Sequence, residues 1–102
     1  RARVTLVEVS YGPGGSSPAQ SHPCPVVGYV IAGALRVGVQ GQAESTFTAG
    51  QAFYEPPHGV HLVSANASDR DSVRFLAWFT CDRDTALSVP VPDPAAEPGV
   101  RP

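Results

Sequence analysis

Turn-forming residues divide this chain into short pieces and leave little room for a regular helix. GPGG at 12–15, Gly33, GQ at 41–42, AG at 49–50, PPHG at 56–59 and NASDRD at 66–71 punctuate it. Glycine and asparagine tolerate positive φ, and proline holds φ at a negative value suited to turns. Between the breaks run short stretches rich in β-branched and apolar residues, and none carries a convincing helical period. The pattern predicts strands over 4–9, 26–32, 35–40, 45–48, 51–55, 60–64 and 72–80, hence an all-β sandwich or barrel. In ALRVGVQ, Leu35, Val37 and Val39 alternate with Arg36, Gly38 and Gln40, which predicts one buried and one wet face. SVRFLAWFT is apolar at nearly every position after Arg74. It reads as a central strand covered on both faces, by the opposite sheet and by a second subunit.

A chain of 102 residues, 42% of them hydrophobic, is enough for one domain with one core. Net charge is -2, lysine is absent, and the seven arginines are scattered at 1, 3, 36, 70, 74, 83 and 101. Nothing resembles a phosphate-binding stripe, so no nucleic-acid partner is expected. No apolar run approaches the ~18 residues of a membrane helix, so no membrane association is expected either. The chain starts at Arg1 rather than Met, which reads as a processed or trimmed product. The cytoplasm is slightly favoured as its compartment, with export left open. From Asp82 onward prolines arrive with small and acidic residues. Residues 1–82 are therefore expected to form the folded barrel, and 83–102 a proline-rich arm or disordered tail unable to pair in a ladder.

The candidates for chemistry are few. In SHPC, His22 and Cys24 sit at i and i+2, so in a strand both would point to one face. Imidazole and thiolate both suit zinc, copper, iron or nickel, and His61 in PPHGVH is the natural third ligand. Cys24 and Cys81 could instead form one bridge in an oxidising compartment, a choice their spacing leaves open. Glu55 follows Phe53 by two residues and shares its face, which places it at the rim if Phe53 points inward. His58 lies in a turn, as a second rim residue.

Two motifs give the chain a family resemblance. GPGGSSPAQSHPCPVVGYVIAG is a glycine-bearing loop, a histidine pair position and an apolar strand ending in glycine; GQAFYEPPHGVHLVSAN, from Gly50 to Asn66, follows two strands later. Together they resemble the cupin superfamily, in particular a bacterial subgroup of one-domain cupins, over essentially 4–79. The resemblance implies a single-domain double-stranded β-helix, a jelly-roll-like barrel enclosing a pocket, and a homodimer in which the first strand covers an edge across subunits. It also implies one transition-metal ion on His22, Cys24 and His61. The chain departs from the family pattern at several points: Cys24 stands where a second histidine is usual, 25–33 supplies no fourth ligand, His58 replaces a glycine, and Asn66 falls one residue late.

Tyr29, Phe53 and Trp78 are expected to line the pocket. The function this supports is metal-dependent binding or conversion of a small organic molecule, an enzyme only if the ion is catalytic. Oxygenase, isomerase and cyclase chemistry are not distinguished. Two alternatives stand beside it: a metal-free barrel that binds a small ligand, and a copper or redox centre built on two histidines and one cysteine.

Overall fold

The computed structural model describes residues 2–82 and 84–91. These form nine strands and no helix: β1 (Ala2–Tyr11), β2 (Gln20–His22), β3 (Val26–Ala32), β4 (Ala34–Val39), β5 (Ser45–Thr48), β6 (Ala52–Glu55), β7 (Gly59–Asn66), β8 (Val73–Asp82) and β9 (Val89–Pro90). All pairings are antiparallel, in one sheet of order β1-β8-β3-β6 and another of order β5-β4-β7-β2-β9. The turns fall at the sequence's punctuation. Gly33, between β3 and β4, has φ +83°, and a Cβ there would stand 2.5 Å from the Ser72 carbonyl oxygen, so only glycine fits.

The inner faces of the two sheets make two apolar clusters. One holds Cys24, Val26, Ala77, Phe79 and Cys81; the other holds Val30, Leu35, Val37, Val73 and Phe75. A pocket of about 230 Å³ opens between them, lined from the first cluster by Val26, Ala77 and Phe79 and from the second by Phe75. Phe53 closes part of its wall. Its ring lies over Gly28, the residue opposite it on β3, and occupies the space a Cβ at Gly28 would need.

In β8, Val73, Phe75, Ala77, Phe79 and Cys81 are buried against the opposite sheet, while Trp78 on the other face is 49% exposed. Its outer residues join a row that crosses the sheet, because Trp78 lies opposite Leu6 on β1 and Val27 on β3, and Val27 lies opposite Tyr54 on β6. All four are exposed. The proline-rich segment does pair in a ladder at its start, where β9 sets Val89 against Ser21 and Pro90 against Gln20. Such pairing is possible because β9 is an edge strand, where proline's missing N–H can face away from the ladder. The remainder of the predicted arm or tail, from 92, lies outside the described residues. The three-residue β2, absent from the sequence-based strand set, pairs with β7 and β9 and carries the first histidine.

Candidate metal centre

Cys24 is not a ligand. It is bonded to Cys81, 57 residues away, with Cα atoms 5.2 Å apart. β2 ends at His22, and the chain runs through Pro23 to Cys24 before β3 begins at Val26. The i, i+2 geometry of a continuous strand therefore does not apply, and the cysteine packs with Ala77, Phe79 and Cys81. With no thiolate available, the two-histidine, one-cysteine copper centre loses its sulfur ligand.

The third member of the site is instead Glu55. Ligand atoms of His22, Glu55 and His61 all lie within 4.8 Å of one another. Far from standing at an exposed rim, Glu55 is 3% exposed on the inner face of β6, beside Phe53, and both line the pocket. Two separate sheets supply the triad: β6 brings the carboxylate, while β2 and β7 bring the imidazoles.

Each imidazole is anchored through Nδ1. His61 Nδ1 lies 3.1 Å from Glu55 Oε2. His22 Nδ1 lies 3.1 Å from the Leu87 carbonyl oxygen, which can only accept, so this nitrogen carries the hydrogen. An imidazole that donates through Nδ1 presents the lone pair of Nε2, the arrangement in which a carboxylate or carbonyl orients a metal-binding histidine. His61 Nε2 is buried and has no hydrogen-bond partner among the described residues. Buried polar nitrogens are almost always satisfied, and one left without a partner beside a second imidazole and a buried carboxylate is what a cation site looks like without its cation. Imidazole donors suit a first-row transition metal.

A bulge in β7 makes the site possible. Val63 pairs with Gly38 and His61 with Val39, so Leu62 is the extra residue against two consecutive partners. Strict alternation would put His61 and Ser64 on opposite faces, yet both line the pocket. Gln20 lies directly opposite His61 on β2 and also lines it.

The remaining expected residues divide clearly. Phe53 lines the pocket. Tyr29 and Trp78 do not: both stand on the outer face, since the inward positions of β3 are Val26, Gly28 and Val30 and those of β8 have odd numbers. His58 is exposed in the turn before β7, away from the pocket, at φ +65°. This left-handed conformation accounts for the glycine usual at that motif position. Sequence reading missed Tyr11, Gln20 and Ser64, which all line the pocket. Tyr11 shares its strand face with Val7 and Val9, a parity signal visible in the sequence; Ser64 had none, because the bulge is tertiary.

Comparison with known proteins rests on this geometry. The family model described as Cupin domain matches residues 7–79. The chain belongs to the cupin family. It is 34% identical to germin-like protein subfamily 2 member 2 of Arabidopsis thaliana over 95% of this chain and 46% of that protein, so it spans under half the length of its curated relative. An oxalate oxidase solved with the substrate analogue glycolate is 26% identical, with a TM-score of 0.68 over 74% of this cupin and 41% of the oxidase. An RmlC-like cupin from Shewanella frigidimarina is 25% identical, with a TM-score of 0.65 over 79% of this chain and 68% of its own.

Proposed function

We propose that this cupin binds a transition-metal ion on His22 and His61, with Glu55 orienting the His61 imidazole from its Nδ1 side, and that the ion engages a small organic molecule in the adjoining pocket. The unpartnered, buried Nε2 of His61 carries the reading. The oxalate oxidase, a similar protein solved with the substrate analogue glycolate, supports the small-molecule part of the reading. A bound ion would supply Lewis acidity and an open coordination position for water, dioxygen or substrate. The chain's own residues do the rest. Glu55 and the Leu87 carbonyl hold the two imidazoles in the Nδ1–H form, and Phe53, Phe75 and Phe79 keep bulk water away from the donors.

Elemental analysis of protein purified without chelator or affinity tag tests it. Near-stoichiometric metal is expected in the wild type and in Cys24→Ser, with loss of at least tenfold in metal affinity in His61→Ala, and a fall in Glu55→Gln as well. Metal-free wild-type protein that takes up none of zinc, copper, iron or nickel would leave a metal-free binding barrel as the function.

We propose further that the protein works in an oxidising compartment, as the disulfide supports, rather than in the cytoplasm. A second copy is proposed to cover the exposed row Leu6, Trp78, Val27 and Tyr54, an apolar surface of the kind that marks an association site.

A further inference from the structure

Away from the histidines, the pocket has a second polar feature to which the metal reading gives no role. Tyr11 Oη and Ser64 Oγ are 2.8 Å apart, and both residues line the cavity. Two hydroxyls bonded to each other use one of their two hydrogens in that bond. The other hydrogen and several lone pairs remain free to meet a guest. The pair is rigidly set. The Tyr11 ring packs edge-on against Phe75 with centroids 5.6 Å apart. The strand end behind it is tied down by Asn66, whose Nδ2 donates to the Gly12 carbonyl at 3.0 Å and the Asp71 carbonyl at 2.6 Å. Asn66 thus serves the pocket indirectly, by fixing where Tyr11 stands.

The pocket wall limits what can bind. Among the described residues no lysine or arginine lines it, and Glu55 is its single carboxylate. A doubly charged anion would face Glu55 with no fixed cation to offset it, and a divalent ion beside Glu55 would leave only one positive charge to balance. The rest of the wall is apolar: Val7, Val9, Phe53, Phe75 and Phe79 among others. A cavity of about 230 Å³ suits a small guest. The bulge at Leu62 sets Ser64 and His61 opposite Val37 and Val39 of β4, so the hydroxyl pair stands roughly 7 Å along the strand from the imidazole, at ~3.3 Å per residue.

We propose that the Tyr11–Ser64 hydroxyl pair is the recognition end of this pocket. The ligand is a small, largely apolar molecule with at most one negative charge, and it places an uncharged hydroxyl or amide group on the pair. Dicarboxylates are excluded as a class. This deepens the functional reading by naming its substrate class, but the hydroxyl pair acts whether or not an ion sits at the histidines, so the two can fail separately.

The test is an NMR titration of the full chain, zinc-loaded and chelator-treated, with phenol, benzamide, fluorobenzene and malonate as probes. Phenol and benzamide are expected to shift pocket resonances at millimolar concentration, while malonate shifts none. Tyr11→Phe should weaken phenol and benzamide by about tenfold, the loss of one good hydrogen bond, while fluorobenzene binds as before and shows the pocket intact. Ser64→Ala should do the same. The proposal is overturned if malonate binds more tightly than benzamide, if no neutral probe binds, or if Tyr11→Phe leaves benzamide affinity within twofold. Probe selectivity that persists in a protein unable to take up zinc would sink the metal reading alone. Zinc uptake without selectivity would sink this one alone.

Discussion

The inner face of the four-stranded sheet and one row across its outer face are both apolar, yet they do different work. Inward, Val7, Val9, Phe75, Ala77 and Phe79 wall the pocket and pack against the second sheet, and Glu55 is buried among them. Outward, Leu6, Trp78, Val27 and Tyr54 form a row of similar chemistry, but Tyr54 is 63% exposed and none of the described residues covers the row. Residue type alone does not distinguish that row from the inner face. What separates them is the presence of a facing sheet, and each face can be tested by removing apolar surface from it.

The largest effect is expected inside. Phe75→Ala removes a buried aromatic shared by core and pocket and should cost roughly 3–5 kcal/mol, read as a lower midpoint in urea denaturation. Trp78→Ser on the same strand should cost under about 1 kcal/mol in a dilute monomer. If a second copy covers the outer row, the same substitution should instead halve the mass seen by light scattering at micromolar concentration. An unchanged mass would show that the row is not the subunit contact.

The disulfide is the next largest. It joins the inward Cys81 of β8 to the loop between β2 and β3, closing a span of 57 residues. Loop-closure entropy makes it worth about 4 kcal/mol at most, so Cys81→Ser should lower the thermal midpoint strongly. Because the sulfur takes no part in the proposed ion site, metal content should survive in that variant below its melting point. Loss of metal without loss of fold would mean that the bridge also positions His22.

The smallest effect carries the opposite sign. His58 sits at φ +65° and is exposed, so His58→Gly relieves the left-handed conformation and should raise stability by about 1 kcal/mol, partly offset by glycine's greater freedom in the unfolded chain. Differential scanning calorimetry would resolve it, and a lower midpoint would show that the imidazole makes a stabilising contact.

Much of the fold was legible because its signals are local. Glycine and proline mark the turns, period-two alternation marks β4, and the spacing of His22 and His61 within two motifs marks the barrel and its histidines. β8 was read as a central strand correctly, since it pairs with β1 and β3. Tyr29 and Trp78 were placed in the pocket because both suit a pocket wall, but strand parity turns them out. Parity can be counted from the sequence once one inward residue is known, and for these strands the sequence offered none with certainty.

By itself, then, the sequence determined seven of the nine strands, the turns, the family and the two histidines, because each depends on residues near one another in the chain or on a motif read in order. Only the tertiary structure decided that Cys24 bonds Cys81, that Glu55 from the other sheet faces His61, and that a bulge at Leu62 turns His61 and Ser64 into one cavity. These are pairings between distant segments. Their geometry is set by how two sheets register and pack, and a single residue's shift in register exchanges the face that points inward.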